Sequence, residues 1–292
     1  MASPVASQSV HRQVLWAAFQ APVICINHDF TWFALIITYV EQGPIKSPPN
    51  AILGMEKAFL SAEWKNLVFA NYQVPEDILI PYVPAGTELD LYNGKCFVSL
   101  VGFMFSNTRL YGVKIPAYQN FEEFNLRFYV VRNEGENFKR GVVFIKEIVP
   151  RRMIARVARW LYDEHYVYCK MNNTLHQTAD ELTIQYGFRF NGDWNYFQAT
   201  TGHTGALPLP GSEEEFITEH YWGYTKQGKH LTSEYKVQHP PWEINNTTNH
   251  DIRCNIKDLY GEAFNQHMKK PSSVFVSTGS AIKVFPRKLL RV

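Results

Sequence analysis

The chain has 292 residues, 46% of them hydrophobic and 19% charged, with 20 Phe, 16 Tyr and 7 Trp and a net charge of +2. So much apolar and aromatic surface suffices for a large core and excludes general disorder, and near-balanced charge gives no electrostatic ground for a nucleic-acid partner. The length fits one large β domain or two ordinary ones.

Near the N-terminus, residues 30–40 (FTWFALIITYV) form an apolar run between Asn27-His28-Asp29 and Glu41. The run falls short of the ~20 residues that span a bilayer. With no basic segment ahead of it and no small-residue cleavage site behind it, it does not read as a secretory leader. No membrane contact is expected, and the expected location is cytoplasmic. Residues 43–50 (GPIKSPPN) have linker composition. The expected organisation is therefore an N-terminal extension over residues 1–55 and one domain over 56–292. The extension is either poorly ordered or a strand docked on the main sheet.

Beyond the linker, residues 62–74 and 96–105 carry the β-branched and aromatic content of strands, with a short helix between them over 75–82 that opens on Pro75. Residues 121–131 alternate strictly, so Glu123, Asn125, Arg127 and Tyr129 share one face while Glu122, Phe124, Leu126, Phe128 and Val130 share the other. A long turn over 133–139, containing Gly135, leads into a partner strand. Ile154, Val157, Ala158 and Leu161 then recur at helical spacing over 153–162, with Arg152, Arg156 and Arg159 off that stripe. Two further hairpins follow, over 182–200 and 216–239, the second opening on a capping-box pair, Ser212 and Glu215. The tail predicts one helix over 256–268 and two short strands near 274–276 and 282–285. Many short strands with few helices give a mainly β (α+β) fold, an antiparallel barrel or strongly curved sheet.

Chemistry-bearing motifs are sparse. Cys25, Cys96, Cys169 and Cys254 lie far apart with no zinc-type spacing, so free thiols are expected and neither a metal nor a cofactor is. No phosphate loop, H-E-x-x-H or G-x-S-x-G is present. The polar face of 121–131 remains. Were it to line a cavity, Glu123 would be the acid/base candidate and Arg127 a planar bidentate clamp for a carboxylate. The bland alternatives are a solvated strand face and an internal ion-pair network. Lys146, Arg151, Arg152, Arg156 and Arg159 gather around the single acid Glu147, which suits an anionic ligand or simply a solvated helix face. His165, His220 and His239 each adjoin an aromatic or a proline and read more readily as core or capping residues than as catalysts.

The words FLSAEWKNLVFANYQV, PAGTELDLYNG, FVSLVGFMF, FEEFNLRFYVVR, RGVVFIKEIVPR and ARVARWLY, with the later FITEHYWGYT and YKVQHPPWEI, resemble the uncharacterised domain-of-unknown-function family 2071. That family is similar in fold to acetoacetate decarboxylase, an antiparallel β-barrel or cone around a small-molecule cavity. The resemblance implies that Glu123 takes the place of a cavity glutamate, with Asn125, Arg127 and Tyr129 in the cavity and Arg159 and Tyr166 near its mouth. It also implies a small-molecule ligand, a carboxylate or keto acid. The decarboxylase's Schiff-base chemistry needs a Pro-Lys-Lys word, and this chain departs from it: the pair falls at Tyr166-Val167 in one register and at Arg151-Arg152 in the other. An arginine stays protonated and cannot serve as the amine nucleophile. Two functions remain open, an acid/base enzyme without a covalent lysine and a non-catalytic ligand-binding or structural interaction module.

Overall fold

A computed structural model describes residues 57–156 and 165–292. The expectations for residues 1–55, for Cys25 and for Arg159 lie outside the described residues. Fifteen strands form one hydrogen-bonded sheet. In chain order they are β1 (Leu60–Val74), β2 (Glu88–Leu89), β3 (Cys96–Leu110), β4 (Val113–Lys114), β5 (Phe121–Glu134), β6 (Asn137–Val149), β7 (Tyr166–Tyr168), β8 (Lys170–Gln177), β9 (Leu182–Phe190), β10 (Asp193–Thr201), β11 (Trp222–Lys226), β12 (Leu231–Gln238), β13 (Ile244–Arg253), β14 (Ser273–Val284) and β15 (Lys288–Arg291). The named helices are short: α1 (Glu76–Leu79), α2 (Glu213–Thr218), α3 (Ile256–Tyr260) and α4 (Glu262–His267).

Strands β12, β11, β6, β5, β3, β1 and β14 follow one another in the sheet, and β14 pairs back onto β12 at Val237↔Val284 and Gln238↔Lys283. The sheet therefore closes into a ring, mainly β as expected. Two pairings depart from an all-antiparallel arrangement: β11 and β7 both run parallel to β6. Beyond β14 the sheet continues outside the ring through β13, β10, β9 and β8.

Local chemistry explains most boundaries. The turn between β5 and β6 is tighter than the predicted 133–139, because Glu134 pairs directly with Asn137 across Gly135-Glu136. Gly135 takes φ 71°, the positive value that a two-residue hairpin of this hand demands at its first central position. The Ser212 side chain caps α2 by accepting from the Glu215 amide at 3.2 Å, as the capping-box spacing predicts. The single tail helix is instead α3 and α4, broken at Gly261 (φ 99°). The two predicted tail strands are one, β14, continuous through Gly279 (φ 79°), which lies against the Trp64 carbonyl. Helix is also present over 152–156, the described part of the predicted 153–162 element.

Both faces of the ring are buried. The outward side carries Phe124, Leu126, Phe128 and Val130 of β5, packed with Tyr186, Phe188 and Phe197 of β9 and β10 and with Leu259 and Phe264 of α3 and α4. The inward side carries a separate cluster, which includes Phe69, Phe97, Phe103, Tyr129, Phe216, Tyr235, Trp242 and Phe275.

Candidate functional site

Strict alternation in β5 places Glu123, Asn125, Arg127 and Tyr129 on the inward face, at 3%, 1%, 8% and 1% exposure. The face is therefore enclosed, and the solvated-strand alternative falls away. Glu123 Oε1 accepts from Asn125 Nδ2 at 3.0 Å. Across the β5–β6 ladder Asn125 faces Glu147, a second buried carboxylate, and Glu147 in turn pairs with half-buried Tyr166 of β7. Glu123, Asn125, Glu147 and Tyr166 thus make an acid-rich end to the inward face.

Arg127 stands at the other end. Its Cα lies about 13 Å from that of Glu123, four strand residues away. The guanidinium carbon lies 5.2 Å from the Phe69 ring centre and 5.9 Å from that of Tyr129, within cation–π range of both. Among the described residues no ion pair joins Arg127 to a carboxylate, and its Nε is buried without a hydrogen-bond partner. A buried guanidinium in that condition is costly, and an anion is the group that would relieve it.

The Tyr129 hydroxyl contacts Ser99 Oγ at 2.6 Å, and Ser99 Oγ donates to Asn71 Oδ1 at 2.6 Å. Because the Ser99 hydrogen is spent on Asn71, Tyr129 is the donor to Ser99. Asn71 Nδ2 then donates to Ser273 Oγ at 2.9 Å, and Ser273 donates to Glu213 of α2. Tyr129 is held rigid by this chain and offers the interior its ring rather than its hydrogen.

His220, which shares the Tyr129 ring with Arg127, and its partners Asp90 and Arg140 form a cluster that carries little signal in the sequence. His220 packs its ring 4.6 Å from that of Tyr129, and its Nε2 lies 3.1 Å from Asp90 Oδ2, which also accepts from Arg140 Nε at 2.7 Å. Backbone bonds bring the three together: the Asp90 amide donates to the Tyr129 carbonyl, and the Tyr221 amide to the Arg140 carbonyl. Burial pushes the His220 imidazole down to about 4, which the Asp90 hydrogen bond offsets only in part. Partial burial raises the Asp90 carboxyl, but the hydrogen bonds from His220 and Arg140 together outweigh it and hold the group below its ordinary value. His239 is likewise driven down to about 4 by burial; its Nδ1–H donates to the Pro240 carbonyl at 2.9 Å while its ring stacks on Trp242 at 4.2 Å. The same His239 lines a cleft of about 740 Å³ at the ring's closing edge, together with Glu63, Asn107, Arg109, Gln238 and Lys283. Pairing at 130 residues' separation, as between Asp90 and His220, leaves no local trace in a sequence.

Among the described residues no cluster of three or more His, Cys, Asp or Glu could hold a metal ion. Nor is any described helix long and apolar enough to cross a membrane. Cys96, Cys169 and Cys254 are free thiols. Lys146, half-buried on β6, has its amine lowered by burial, but it lies on the outward side, donating to the Leu259 carbonyl and standing 5.5 Å from the Tyr260 ring centre.

This ring of strands is the acetoacetate decarboxylase-like fold. Acetoacetate decarboxylase from Legionella pneumophila subsp. pneumophila str. Philadelphia 1 matches at a TM-score of 0.54 and 12% identity, over 84% of this chain and 93% of that one. An acetoacetate decarboxylase-like enzyme from Sphingomonas wittichii RW1 matches at 0.55 and 11% identity, over 86% and 98%. The enduracididine biosynthesis enzyme MppR, in complex with pyruvate, matches at 0.54 and 12% identity, over 85% and 98%. Within that fold the chain belongs to the DUF2071 family, described as an uncharacterised conserved protein, whose model matches residues 61–281. A curated relative, the uncharacterised protein YqjF of Bacillus subtilis (strain 168), is 29% identical over 202 residues, 68% of this chain and 80% of the relative.

Proposed function

We propose that the protein binds a small carboxylate or keto acid inside the ring, with Arg127 as the clamp. The observation that carries this reading is the buried Arg127 guanidinium, seated on Phe69 and Tyr129 with no carboxylate partner among the described residues. An anionic ligand would supply the missing charge as a bidentate pair. The fold is compatible with such a ligand, since MppR shares it and was captured with pyruvate. Glu123 is the acid/base candidate, held by Asn125 at the opposite end of the inward face. Tyr166 and Arg159 would complete the mouth, as the family resemblance implies. Any catalysis would proceed without a Schiff base, because Lys146 lies on the outward side and the Pro-Lys-Lys word is missing.

A second reading, a structural module without a ligand, draws on the hydrogen bonds that inward polar groups make with one another, from Tyr129 through Ser99 and Asn71 to Ser273. Thermal-shift titration with a panel of short carboxylates separates the two. Stabilisation that vanishes in Arg127→Met while the variant stays folded supports the clamp. The absence of any response across the panel favours the module. Borohydride treatment with keto acids is expected to trap no lysine adduct, and a trapped adduct would overturn the non-covalent assignment.

A further inference from the structure

His220 has a second nitrogen that the fold leaves unused. The Asp90 carboxylate can only accept, so the hydrogen between the two side chains sits on Nε2. Arg140 donates to the same Asp90 oxygen and fixes that carboxylate in place. Nδ1 is then a bare lone pair, buried and without a hydrogen-bond partner in a residue only 7% exposed. A second proton on the ring would leave a buried N–H without an acceptor, and burial already holds the imidazole neutral near pH 7. An unsatisfied buried acceptor is penalised, and a donor group on a bound molecule would recover that penalty. The imidazole lies against the inward ring of Tyr129, and the Arg127 guanidinium lies over that same ring and within electrostatic reach of His220. Arg127 and His220 thus share Tyr129 as a neighbour, which puts the clamp and the unused nitrogen on one region of the inward side.

The geometry points to His220 as a specificity-determining acceptor, its Nδ1 receiving the hydroxyl hydrogen of a hydroxy acid whose carboxylate lies on Arg127. Asp90 and Arg140 act as positioning residues that hold the required tautomer. This rests on the carboxylate reading above and narrows it. A keto oxygen set against Nδ1 would bring two acceptors together in a desolvated site, and an unsubstituted acid would leave Nδ1 orphaned. Either mismatch is penalised more heavily than the loss of an apolar contact.

Lactate, pyruvate and propionate carry the same carboxylate on a three-carbon frame and differ only at the second carbon, so they serve as probes for calorimetric titration. The full chain is expected to bind lactate at least tenfold more tightly than either of the others. In His220→Gln the side-chain amide can still donate to Asp90 through Nε2, which turns its carbonyl oxygen away from the position of Nδ1, and the three affinities should converge to within twofold. Imidazole ¹⁵N spectra supply a readout that a purely structural histidine would not move: the neutral Nε2–H tautomer in the free protein, with the Nδ1 signal shifting on lactate and not on propionate. Binding of all three acids that depends on Arg127 but shows no preference, or a lactate preference that survives His220→Gln, overturns this inference and leaves the carboxylate site standing. No binding of any of the three overturns both.

Discussion

The two faces of β5 are buried almost equally and are chemically opposite. Phe124, Leu126, Phe128 and Val130 point outward into a contiguous apolar cluster, and Glu123, Asn125, Arg127 and Tyr129 point inward. Outward, each side chain gains from leaving water and asks nothing specific of its neighbours. Inward, each polar atom needs a particular partner, and some have none: Asn125 Oδ1, Arg127 Nε and His220 Nδ1 are all buried without a hydrogen bond. Burial alone therefore does not separate a core from a site. Accounting for partners adds a criterion: Arg127, with no carboxylate partner among the described residues, stands near an imidazole with one nitrogen unused.

Four measurements would break or sharpen that contrast. The largest effect of any single side chain is expected outward: Phe128→Ala should cost about 3–5 kcal/mol in urea-unfolding free energy, the range for emptying a packed aromatic site. A cost below about 1.5 kcal/mol would mean that this face relaxes freely and is not a close-packed core. Acid comes next and acts inward. His220 and His239 stay neutral down to about 4 when folded but protonate near 6.5 when unfolded, so the unfolded chain binds more protons between those values. Their contribution is fully present above pH 6.5 and is lost as the pH falls towards 4, on the order of 3 kcal/mol for each. Asp90, held below its ordinary value, adds a further loss as it protonates in stronger acid. Unfolding free energies taken between pH 7 and pH 4 should fall accordingly, and a flat profile would show that the two imidazoles are solvated.

The third change is smaller. Gly223 of β11 faces Tyr235, where an added Cβ would lie 2.1 Å from the ring carbon that bears the hydroxyl. Gly223→Ala should destabilise by about 1–3 kcal/mol in denaturant melts through overpacking; an unchanged midpoint would mean that the Tyr235 ring swings aside. The smallest change in stability is expected for Arg127→Met. Removing a buried charge that has no carboxylate partner among the described residues should shift stability by less than about 1 kcal/mol, or raise it, even as carboxylate binding is lost. A loss of several kcal/mol would instead show that Arg127 is neutralised within the protein.

Alternation at period two made the faces of β5 legible in the sequence, and Gly135, the Ser212 cap and the hairpin at Asn191-Gly192 are local signals of the same kind. What escaped depends on distant partners. The parallel pairing of β11 with β6 and the closure of β14 onto β12 have no local mark. Strand β8 (KMNNTLHQ) is too polar to announce itself. The helical residues 256–268 carry a continuous pattern through Gly261, whose positive φ rather than any change in hydrophobicity ends α3. Glu123 and Arg127 were readable as two charges on one face of a strand, though not as an enclosed pair, since a solvated face gives the same alternation. Asp90, Arg140 and His220 were not, because their association depends on which backbone amides β5 and β6 leave for the neighbouring segments.

The ring also constrains how the chain can assemble. Its first described strand, β1, lies between β3 and β14, with Leu60 opposite Val284. Until residues 273–284 have left the ribosome, β1 presents one unpaired edge and the ring stands open, with its inward aromatic cluster and the polar groups of β5 in contact with water. Contacts across so much sequence are entropically late, and they slow folding relative to local hairpins such as β5–β6. The inward face thus holds a second consequence: until closure its aromatic cluster, with Phe69 on β1 and Phe97 and Phe103 on β3, stays open to water and offers nascent chains a surface for aggregation.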